Sequence, residues 1–273
     1  MPELPEAENI GRALARMLVG KKIVKVEIFT PAMRTSLRPL SDAKLEGRRF
    51  TSVRRRGRYL VAALDDGRGL LMHFGMSGVV RVESPEVPRR KHEHVFLHLD
   101  DGMAFRFECT RRFSLLEVHA LGPDGFPASL KGLGAEPLSD DFTGAVFRAA
   151  CARRRAPIKT VLMDNAVVCG IGNIYATETL FAAGTDPRRP AATATSAECG
   201  AVVREAKRIL NEAIACGGST IADFRNVDGS EGKFAVKLQV YGRTGEKCPR
   251  CGAIIVSCRL GGRTSAYCPR CQK

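Results

Sequence analysis

Apolar residues recur at helical spacing over the first eighteen positions of the chain. Ala7, Ile10, Leu14 and Leu18 follow one another at intervals of three or four, and charged side chains lie between them. Residues with this spacing line one face of an α-helix, so the pattern predicts a helix over residues 3–18.

Shorter apolar or alternating runs, broken by turn signals, follow from residue 22 to about residue 119. Alternation with a period of two is typical of β-strands that bury one face. Asp66-Gly67 and Asp101-Gly102 are dipeptides that favour tight hairpin turns between such strands. Several short strands of this kind predict a β-sandwich or a barrel. The predicted strands span residues 22–29, 58–64, 70–74, 79–82, 94–99, 103–107 and 114–118.

The second half of the chain has helical patterns. A stretch rich in glycine, proline and serine, residues 121–140, separates the two halves and predicts a linker. We therefore expect an N-terminal domain over residues 1–120, a helical domain over 141–235 and a C-terminal segment over 236–273. The predicted helices span residues 142–152, 157–164, 173–183, 197–215 and 219–224.

Four cysteines near the C-terminus form two Cys-x-x-Cys pairs separated by sixteen residues, Cys248 with Cys251 and Cys268 with Cys271. Each such pair can direct two thiolates at one ion, and two pairs on a β-hairpin complete a tetrahedral site. The spacing therefore predicts one Zn²⁺ with four thiolate ligands. A site of this kind has no open coordination position, so the metal should be structural. Cys258 lies between the pairs and has no place in the ligand set.

The 273 residues include 43 lysines and arginines against 29 aspartates and glutamates, a formal charge of +14. This excess predicts a polyanionic partner, and nucleic acid is the first candidate. The charge is clustered, since residues 34–60 hold nine basic and two acidic side chains. With no tryptophan and four tyrosines, contacts along phosphates are favoured over base-stacking platforms. No apolar run is long enough to span a membrane and no secretory signal is evident, so we expect a cytoplasmic protein.

A glycine turn, Gly170-Ile171-Gly172, precedes the predicted helix that begins at Asn173. The backbone N–H groups at a helix start lack partners within the helix and form a site for anions. Asn173 adds a side-chain donor, and Lys159 on the preceding helix adds positive charge. Because glycine turns between helices are common, the pattern by itself does not require a bound phosphate.

The N-terminus offers a further chemical group. Methionine before proline is normally removed after synthesis, which would leave Pro2 as a free secondary amine. Such an amine can attack an aldehyde-like carbon to form an iminium ion, and the neighbouring Glu3 can transfer protons. The alternative is that both residues simply begin a helix, where proline and acidic side chains are favoured.

Long motifs are distributed over nearly the whole chain. They are MPELPEAE at residues 1–8, HFGMSG at 73–78, TRRF at 110–113, LGAEPL at 133–138, IKTVLMDNAVVCGIGNIYATETLFAAG at 158–184, LQVYGRTGE at 238–246 and the four cysteines. In these motifs the chain closely resembles the bacterial formamidopyrimidine-DNA glycosylases, which remove 8-oxoguanine and ring-opened purines. The resemblance implies an α+β fold with an N-terminal helix and an antiparallel β-sandwich, a helical domain with a helix-two-turns-helix motif, and a C-terminal β-hairpin zinc finger.

The resemblance also implies roles for individual residues. Pro2 would attack the sugar carbon that carries the damaged base and form a Schiff base, with Glu3 as acid and base and Glu6 close to the target nucleotide. An extruded nucleotide leaves a gap in the duplex, and the gap-filling positions of the family correspond to Met76, Arg111 and Phe113. The remaining DNA-binding positions correspond to His92, Lys159, Asn173, Tyr175 and Arg263, and a carboxylate of the hinge region corresponds to Glu178.

Three positions depart from the family pattern. Arg58 stands where the family usually has a lysine that contacts the lesion strand, and a planar guanidinium is not equivalent to an ammonium group at a tight site. Cys109 and Ser114 stand where the family has aspartate and glycine. We expect Arg58 to keep its place at the catalytic site, while the loop from residue 109 to 114 is positioned differently.

These observations predict a monomeric base-excision repair enzyme that acts on double-stranded DNA. It would remove oxidised purines through the Pro2 Schiff base and then cleave the abasic strand by β- and δ-elimination. One alternative is an endonuclease VIII-like glycosylase for oxidised pyrimidines. Another is a damaged-DNA-binding protein without catalytic activity. Association with the nucleoid would follow from DNA binding.

Overall fold

The computed structural model describes residues 2–219 and 234–273. These residues form two compact units. The first holds everything up to Lys131 together with Gly217, Gly218 and Ser219, and the second holds Gly132–Cys216 and the residues from Phe234 onward. The helix predicted over residues 219–224 lies, beyond Ser219, outside the described residues.

The first unit consists of a long N-terminal helix and two antiparallel sheets. One sheet has the strand order β1-β6-β7-β5 and the other has the order β2-β3-β4-β8. The elements are α1 (Leu4–Leu18), β1 (Ile23–Ile28), α2 (Arg38–Asp42), β2 (Phe50–Arg56), β3 (Tyr59–Leu64), β4 (Arg68–His73), β5 (Gly78–Glu83), β6 (Glu93–Leu99), β7 (Ala104–Cys109) and β8 (Leu115–Ala120).

One hydrophobic core joins α1 to both sheets. Ile10 and Leu14 on the apolar face of α1 belong to the same buried cluster as Leu60 of β3 and Phe107 of β7. At Gly11, α1 lies close to the sheet. A Cβ on this residue would be 2.9 Å from a methyl group of Leu60. The helical period predicted for α1 and the sandwich predicted for the strands are thus confirmed.

The two predicted hairpin turns are also present. Gly67 and Gly102 have φ values of +80° and +82°, and each follows an aspartate. The carboxylates of Asp66 and Asp101 accept hydrogen bonds from backbone N–H groups two residues later, at 3.2 and 3.1 Å. This geometry explains why Asp-Gly was a reliable signal, since glycine tolerates the left-handed conformation and aspartate closes the turn.

Strand β2 and helix α2 were not predicted from the sequence. The C-terminal half of β2 contains Arg54, Arg55 and Arg56, which hide the alternation of apolar and polar residues. The strand forms because it pairs with β3, with Arg54 opposite Val61 and Arg56 opposite Tyr59. Pairing of β2 with β3 thus outweighed the weak strand preference of the three arginines, because strand preference depends on the neighbouring strand.

The second unit is helical, with a C-terminal hairpin. The helices predicted over 142–152, 157–164, 173–183 and 197–215 are confirmed, with limits shifted by a few residues. Thr195 and Glu198 form a reciprocal capping box at the start of the longest one. Among the described residues, no helix is both long and apolar enough to cross a membrane. The elements are α3 (Gly144–Cys151), α4 (Ile158–Leu162), α5 (Asn173–Ala182), α6 (Ser196–Ala215), β9 (Val256–Leu260) and β10 (Arg263–Tyr267).

A buried ion cluster joins the strands of the β1-β6-β7-β5 sheet. The guanidinium of Arg106 is fully buried and donates to Glu93 and Glu83, both at 2.9 Å. It also donates to the carbonyl of Val87 at 3.0 Å and lies 4.3 Å from the ring centroid of Phe96. The cluster therefore fixes the connection between β5 and β6 to the sheet beneath it.

Glu93→Gln should destabilise the first unit strongly, because it removes one of the two carboxylates at 2.9 Å from the buried Arg106 cation, and the one that is itself fully buried. Removing one partner of a buried ion pair typically costs about 3–5 kcal/mol. The free energy of unfolding, measured by urea denaturation, should fall by this order. Glu27→Gln is the matched control, since Glu27 pairs with the exposed Lys25 at 2.8 Å and should cost about 1 kcal/mol or less. Equal losses in the two variants would contradict the assignment.

Candidate active site and nucleic-acid interface

Pro2 and Glu3 lie directly before α1, and both are buried. The carboxylate of Glu6, 2% exposed, accepts a hydrogen bond from the backbone N–H of Glu3 at 2.9 Å. This is one arm of a capping box at the helix start. The first turn of α1 therefore holds the two residues that precede it in one conformation.

The second oxygen of the Glu6 carboxylate binds a segment far along the chain. It accepts from the backbone N–H of Ser219 at 2.7 Å and from the Ser219 hydroxyl at 3.0 Å. Gly218 precedes this contact with φ +85°, and a Cβ at that position would lie 3.0 Å from the same carboxylate oxygen. A side chain at 218 would therefore disturb the clamp. Glu6 thus binds both the backbone of Glu3, next to the predicted nucleophile, and the Gly217–Ser219 segment.

Met76 and Phe113 are large apolar side chains that remain 50% and 57% exposed. They lie in the two turns that follow β4 and β7. Arg111, also exposed, approaches the sulfur of Met76 at 3.9 Å and donates its backbone N–H to the Ser77 hydroxyl at 3.1 Å. The structure thus brings the three predicted gap-filling residues together on one surface. Exposed apolar side chains that are grouped in this way mark a binding surface.

Arg58 is half-buried in the two-residue loop between β2 and β3, after Gly57 with φ +58°. His73 lies close by at the end of β4. Burial, and to a smaller extent the positive charges of Arg58 and Arg34, lower the pKa of His73 to about 4. The neutral imidazole accepts the backbone N–H of Gly75 through Nδ1 at 3.2 Å. Arg58 and Arg34 thus provide positive charge beside the turn that carries Met76.

His92 is partly exposed in the connection that leads into β6. Arg90 in the same connection donates its backbone N–H to Glu93 at 2.6 Å, and its side chain pairs with Glu83. The buried ion cluster therefore holds the segment on which His92 is presented to solvent.

The second unit contains the predicted phosphate site at the start of α5. Lys159 is 1% exposed, and its ammonium donates to Asn173 Oδ1 and to the Ser265 hydroxyl, both at 2.7 Å. Asn173 Nδ2 donates to the carbonyl of Thr264 at 3.0 Å. In this geometry Lys159 does not extend toward solvent. It orients the half-buried amide of Asn173 and ties the start of α5 to β10.

Tyr175 is fully buried, with its ring centroid 5.8 Å from that of Phe234. Its side chain therefore supports the first turn of α5 from inside the second unit. Gly170, with φ +89°, forms the turn that precedes this helix. Its backbone N–H is bound by the side chain of Asn165 at 3.2 Å.

The sulfur atoms of the four predicted zinc ligands all lie within 4.8 Å of one another. Cys248 and Cys271 are 3.9 Å apart, and Cys251 and Cys268 are 3.5 Å apart. Tetrahedral Zn²⁺ with bonds of about 2.3 Å requires sulfur separations near 3.8 Å, so the four thiolates fit this ion. Cys258 instead approaches the carbonyl of Ser265 at 3.9 Å.

The cysteine-rich segment is anchored on α5. Glu178, 4% exposed, accepts hydrogen bonds from the consecutive backbone N–H groups of Gln239, Val240 and Tyr241 at 2.9, 3.0 and 2.8 Å. Arg250 lies 4.3 Å from the ring centroid of Phe181 and donates to the Phe181 carbonyl at 3.0 Å. Arg263, at the start of β10, is exposed.

Sequence reasoning missed Ser265 as a partner of Lys159. The two residues are 106 positions apart, and a serine in a hairpin strand has no distinctive pattern. The bond between Ser219 and Glu6, which spans 213 positions, was not predicted either. Only a contact map or an alignment with coupled positions could have revealed either pair.

We expect His73 to titrate near pH 4, and Arg58→Gln to raise its pKa without restoring the ordinary value of 6.5, because burial is the largest cause. The pKa of His73 is lower in the folded than in the unfolded state. Its contribution to the free energy of unfolding is therefore fully present above about pH 6.5 and is lost as the pH drops toward 4. NMR titration of the labelled imidazole measures the pKa. A native midpoint near 6.5 would contradict the geometry.

Cys268→Ser should release the metal and unfold the ribbon, whereas Cys258→Ser should retain it, because Cys258 lies outside the ligand set. Arg263→Ala should retain zinc yet weaken DNA binding and lower the salt dependence by about one phosphate contact. Zinc content and fluorescence anisotropy with a duplex measure the two effects. Equal zinc loss in the Arg263 and Cys268 variants would refute the distinction.

Three family models match the chain. They describe the formamidopyrimidine-DNA glycosylase N-terminal domain over residues 1–116, the formamidopyrimidine-DNA glycosylase H2TH domain over 133–225, and a zinc finger found in FPG and IleRS over 245–273. Together they match most of the sequence.

Similar proteins are known at both the sequence and the structural level. Formamidopyrimidine-DNA glycosylase of Laribacter hongkongensis is 45% identical over 260 residues, covering 95% of both chains, and that of Dichelobacter nodosus is 40% identical over 257 residues, covering 93% of both. A mutant of Lactococcus lactis FPG in complex with a Fapy-dG containing DNA superposes with a TM-score of 0.90, at 34% identity and full coverage of both chains. MutM in complex with carbocyclic 8-oxo-G containing DNA gives a TM-score of 0.89, at 34% identity and full coverage of both. The chain belongs to the formamidopyrimidine-DNA glycosylase family.

Proposed function

We propose that this protein excises oxidised purines from double-stranded DNA and then cleaves the resulting abasic strand. The observation that carries the proposal is the N-terminal site, in which Pro2 and Glu3 are buried before α1 and Glu6 binds the backbone N–H of Glu3. Family members bear the glycosylase name, and solved neighbours hold DNA with Fapy-dG or 8-oxo-G. The protein is a bifunctional DNA glycosylase and abasic-site lyase.

The proposed chemistry requires removal of Met1, which converts Pro2 from an amide into a secondary amine. N-terminal amines have ordinary pKa values near 8, so a useful fraction is unprotonated at neutral pH. The Pro2 nitrogen attacks the sugar carbon that bears the lesion, the carbon–base bond breaks, and the base leaves with a proton. Opening of the sugar ring gives an iminium ion. Successive β- and δ-elimination then release the phosphates on both sides, and water frees Pro2.

Glu3 is the proposed proton carrier, because it adjoins Pro2 and is 4% exposed. Because Glu3 is buried, little water reaches its carboxylate, which favours directed proton transfer. Glu6 is proposed to set the direction of both residues through its bond to the Glu3 N–H, and to place the Ser219 segment beside the target nucleotide.

Extrusion of the nucleotide costs a few kcal/mol of stacking and pairing. Met76 and Phe113 are proposed to enter the gap as apolar wedges, and Arg111 to hydrogen-bond the orphaned base. Their exposure supports this role, since burial of these side chains against bases would offset part of the cost.

Arg58, His92, Asn173 and Arg263 are the proposed phosphate contacts, because each is at least partly exposed. Lys159 and Tyr175 are proposed to act indirectly, by holding Asn173 and the first turn of α5. The resemblance implies DNA-binding positions for both residues, and their burial favours this indirect role.

The four cysteines bind one structural Zn²⁺. Because thiolates fill all four coordination positions, the ion shapes the hairpin that presents Arg263 and stays outside the reaction. We further propose that the protein acts as a monomer in the cytoplasm, where DNA binding would associate it with the nucleoid.

Oxidised pyrimidines are a second candidate substrate class. A solved structure of wild-type Lactococcus lactis FPG contains an oxidised-pyrimidine DNA, and it superposes with a TM-score of 0.90. Excision rates on duplexes with 8-oxoguanine opposite cytosine and with thymine glycol opposite adenine discriminate the two. We expect the first rate to be higher.

Borohydride trapping tests the central step, because reduction of the iminium ion joins protein and DNA covalently. The wild-type protein, shown by intact mass to lack Met1, should be trapped on an 8-oxoguanine duplex. A variant with Gly-Ser inserted before Pro2, which has an amide at that position, should bind the duplex without being trapped. The same dipeptide added after Lys273 is the control and should be trapped normally.

Absence of an adduct in the wild-type protein would favour a damaged-DNA-binding protein without catalytic activity. An adduct in the N-terminally extended variant, mapped by peptide mass analysis to a lysine and not to the new terminal amine, would move the nucleophile from Pro2 to that lysine. Either result would overturn the proposed mechanism.

A further inference from the structure

Cys109 and Ser114 meet at the base of the turn that carries Arg111 and Phe113. Both are fully buried, and the backbone N–H of Ser114 donates to the Cys109 sulfur at 3.4 Å. A thiol in this place accepts the N–H without introducing a buried charge. The two ends of the 110–113 turn are therefore closed on each other.

The Ser114 hydroxyl extends this contact to the neighbouring turn. It donates to the carbonyl of Phe74 at 2.8 Å. Phe74 is 1% exposed and begins the turn that presents Met76. The Ser114 hydroxyl thus joins the turn that carries Phe113 to the turn that carries Met76.

The backbones of the two turns leave no space for sliding at this contact. A Cβ on Gly75, which has φ +55°, would lie 2.6 Å from the Phe113 carbonyl oxygen. A Cβ on Gly78 would lie 2.5 Å from the Ser114 hydroxyl. Close backbone packing limits the distance between the two turns, and the bond from the Ser114 hydroxyl to the Phe74 carbonyl links them at one point.

We propose that Cys109 and Ser114 form a positioning pair that fixes the spacing of Met76 and Phe113 for entry into the duplex. The inference rests on the proposed function and concerns residues at which this chain departs from the family pattern. Both contacts meet at residue 114, because its backbone N–H is bound to the Cys109 sulfur and its hydroxyl to the Phe74 carbonyl. Arg111 depends on the same spacing, since its backbone is bound to Ser77 of the facing turn.

Ser114→Ala removes the hydroxyl and little else. We expect the single-turnover excision rate for 8-oxoguanine opposite cytosine to fall about 5- to 10-fold, the size of one lost hydrogen bond. Cleavage of a single-stranded oligonucleotide with a preformed abasic site should be unchanged, because no nucleotide is extruded from a duplex. Fluorescence of 2-aminopurine beside the orphaned base should rise more slowly, which reports delayed wedge insertion.

Ser41→Ala in the exposed helix α2 is the matched control and should match the wild-type protein in all three measurements. Cys109→Ala, which removes the sulfur that accepts the Ser114 N–H, should also slow excision on the duplex and leave cleavage of the single-stranded substrate unchanged. The folded state is checked by the thermal midpoint of each variant.

Equal slowing on duplex and single-stranded substrates would overturn the inference, since it would mean general damage to the first unit. Wild-type rates in the Ser114 and Cys109 variants would also overturn it. Failure of the wild-type protein to excise 8-oxoguanine or to be trapped by borohydride would instead overturn the proposed function, so the two failures are distinguishable.

Discussion

The geometry of the N-terminal site depends on the carboxylate of Glu6. It is 2% exposed and would be costly to bury without partners. Among the described residues, it accepts hydrogen bonds from the Glu3 backbone and from the backbone and hydroxyl of Ser219. A single buried charge therefore decides where the first residues of the chain lie and where the Gly217–Ser219 segment meets them. Gly218 is required at this point because any larger residue would strain the clamp.

Buried charges have a similar use in the second unit. The ammonium of Lys159 fixes Asn173 and Ser265, and the carboxylate of Glu178 holds three consecutive N–H groups before the first cysteine pair. Both charges are satisfied by hydrogen bonds with polar groups, which replace the water lost on burial. The start of α5, the zinc ligands and β10 are consequently one connected structure. The metal stabilises the hairpin from which Arg263 reaches solvent.

Exposed groups carry the recognition chemistry. Met76 and Phe113 remain uncovered on two turns that are themselves tightly fixed, and basic residues lie around them. Exposed apolar side chains on a rigid base bind with little loss of conformational entropy. In the first unit, the positive charges of Arg58 and Arg34 near His73 accompany these two exposed apolar side chains. A polyanion with stacked bases meets both demands.

Local patterns in the sequence were sufficient to predict α1, most of the strands, the Asp-Gly hairpins and the metal ligands. Each of these depends on residues close in sequence, for which periodicity and spacing are direct physical signals. The family motifs added Pro2, Glu3 and the gap-filling residues, whose roles in catalysis and DNA binding stay predictions.

Which polar side chains are buried in supporting contacts, and which face solvent, depends on tertiary contacts that local patterns do not reveal. Lys159 and Tyr175, which the resemblance implies at DNA-binding positions, are both buried. Lys159 donates to Asn173, and the ring of Tyr175 lies beside that of Phe234. The contact of Ser114 with Phe74 was equally invisible, as was the pairing that makes β2 a strand. These contacts join residues distant in sequence, and local pattern does not report which distant group will satisfy a buried charge, hydroxyl or strand edge.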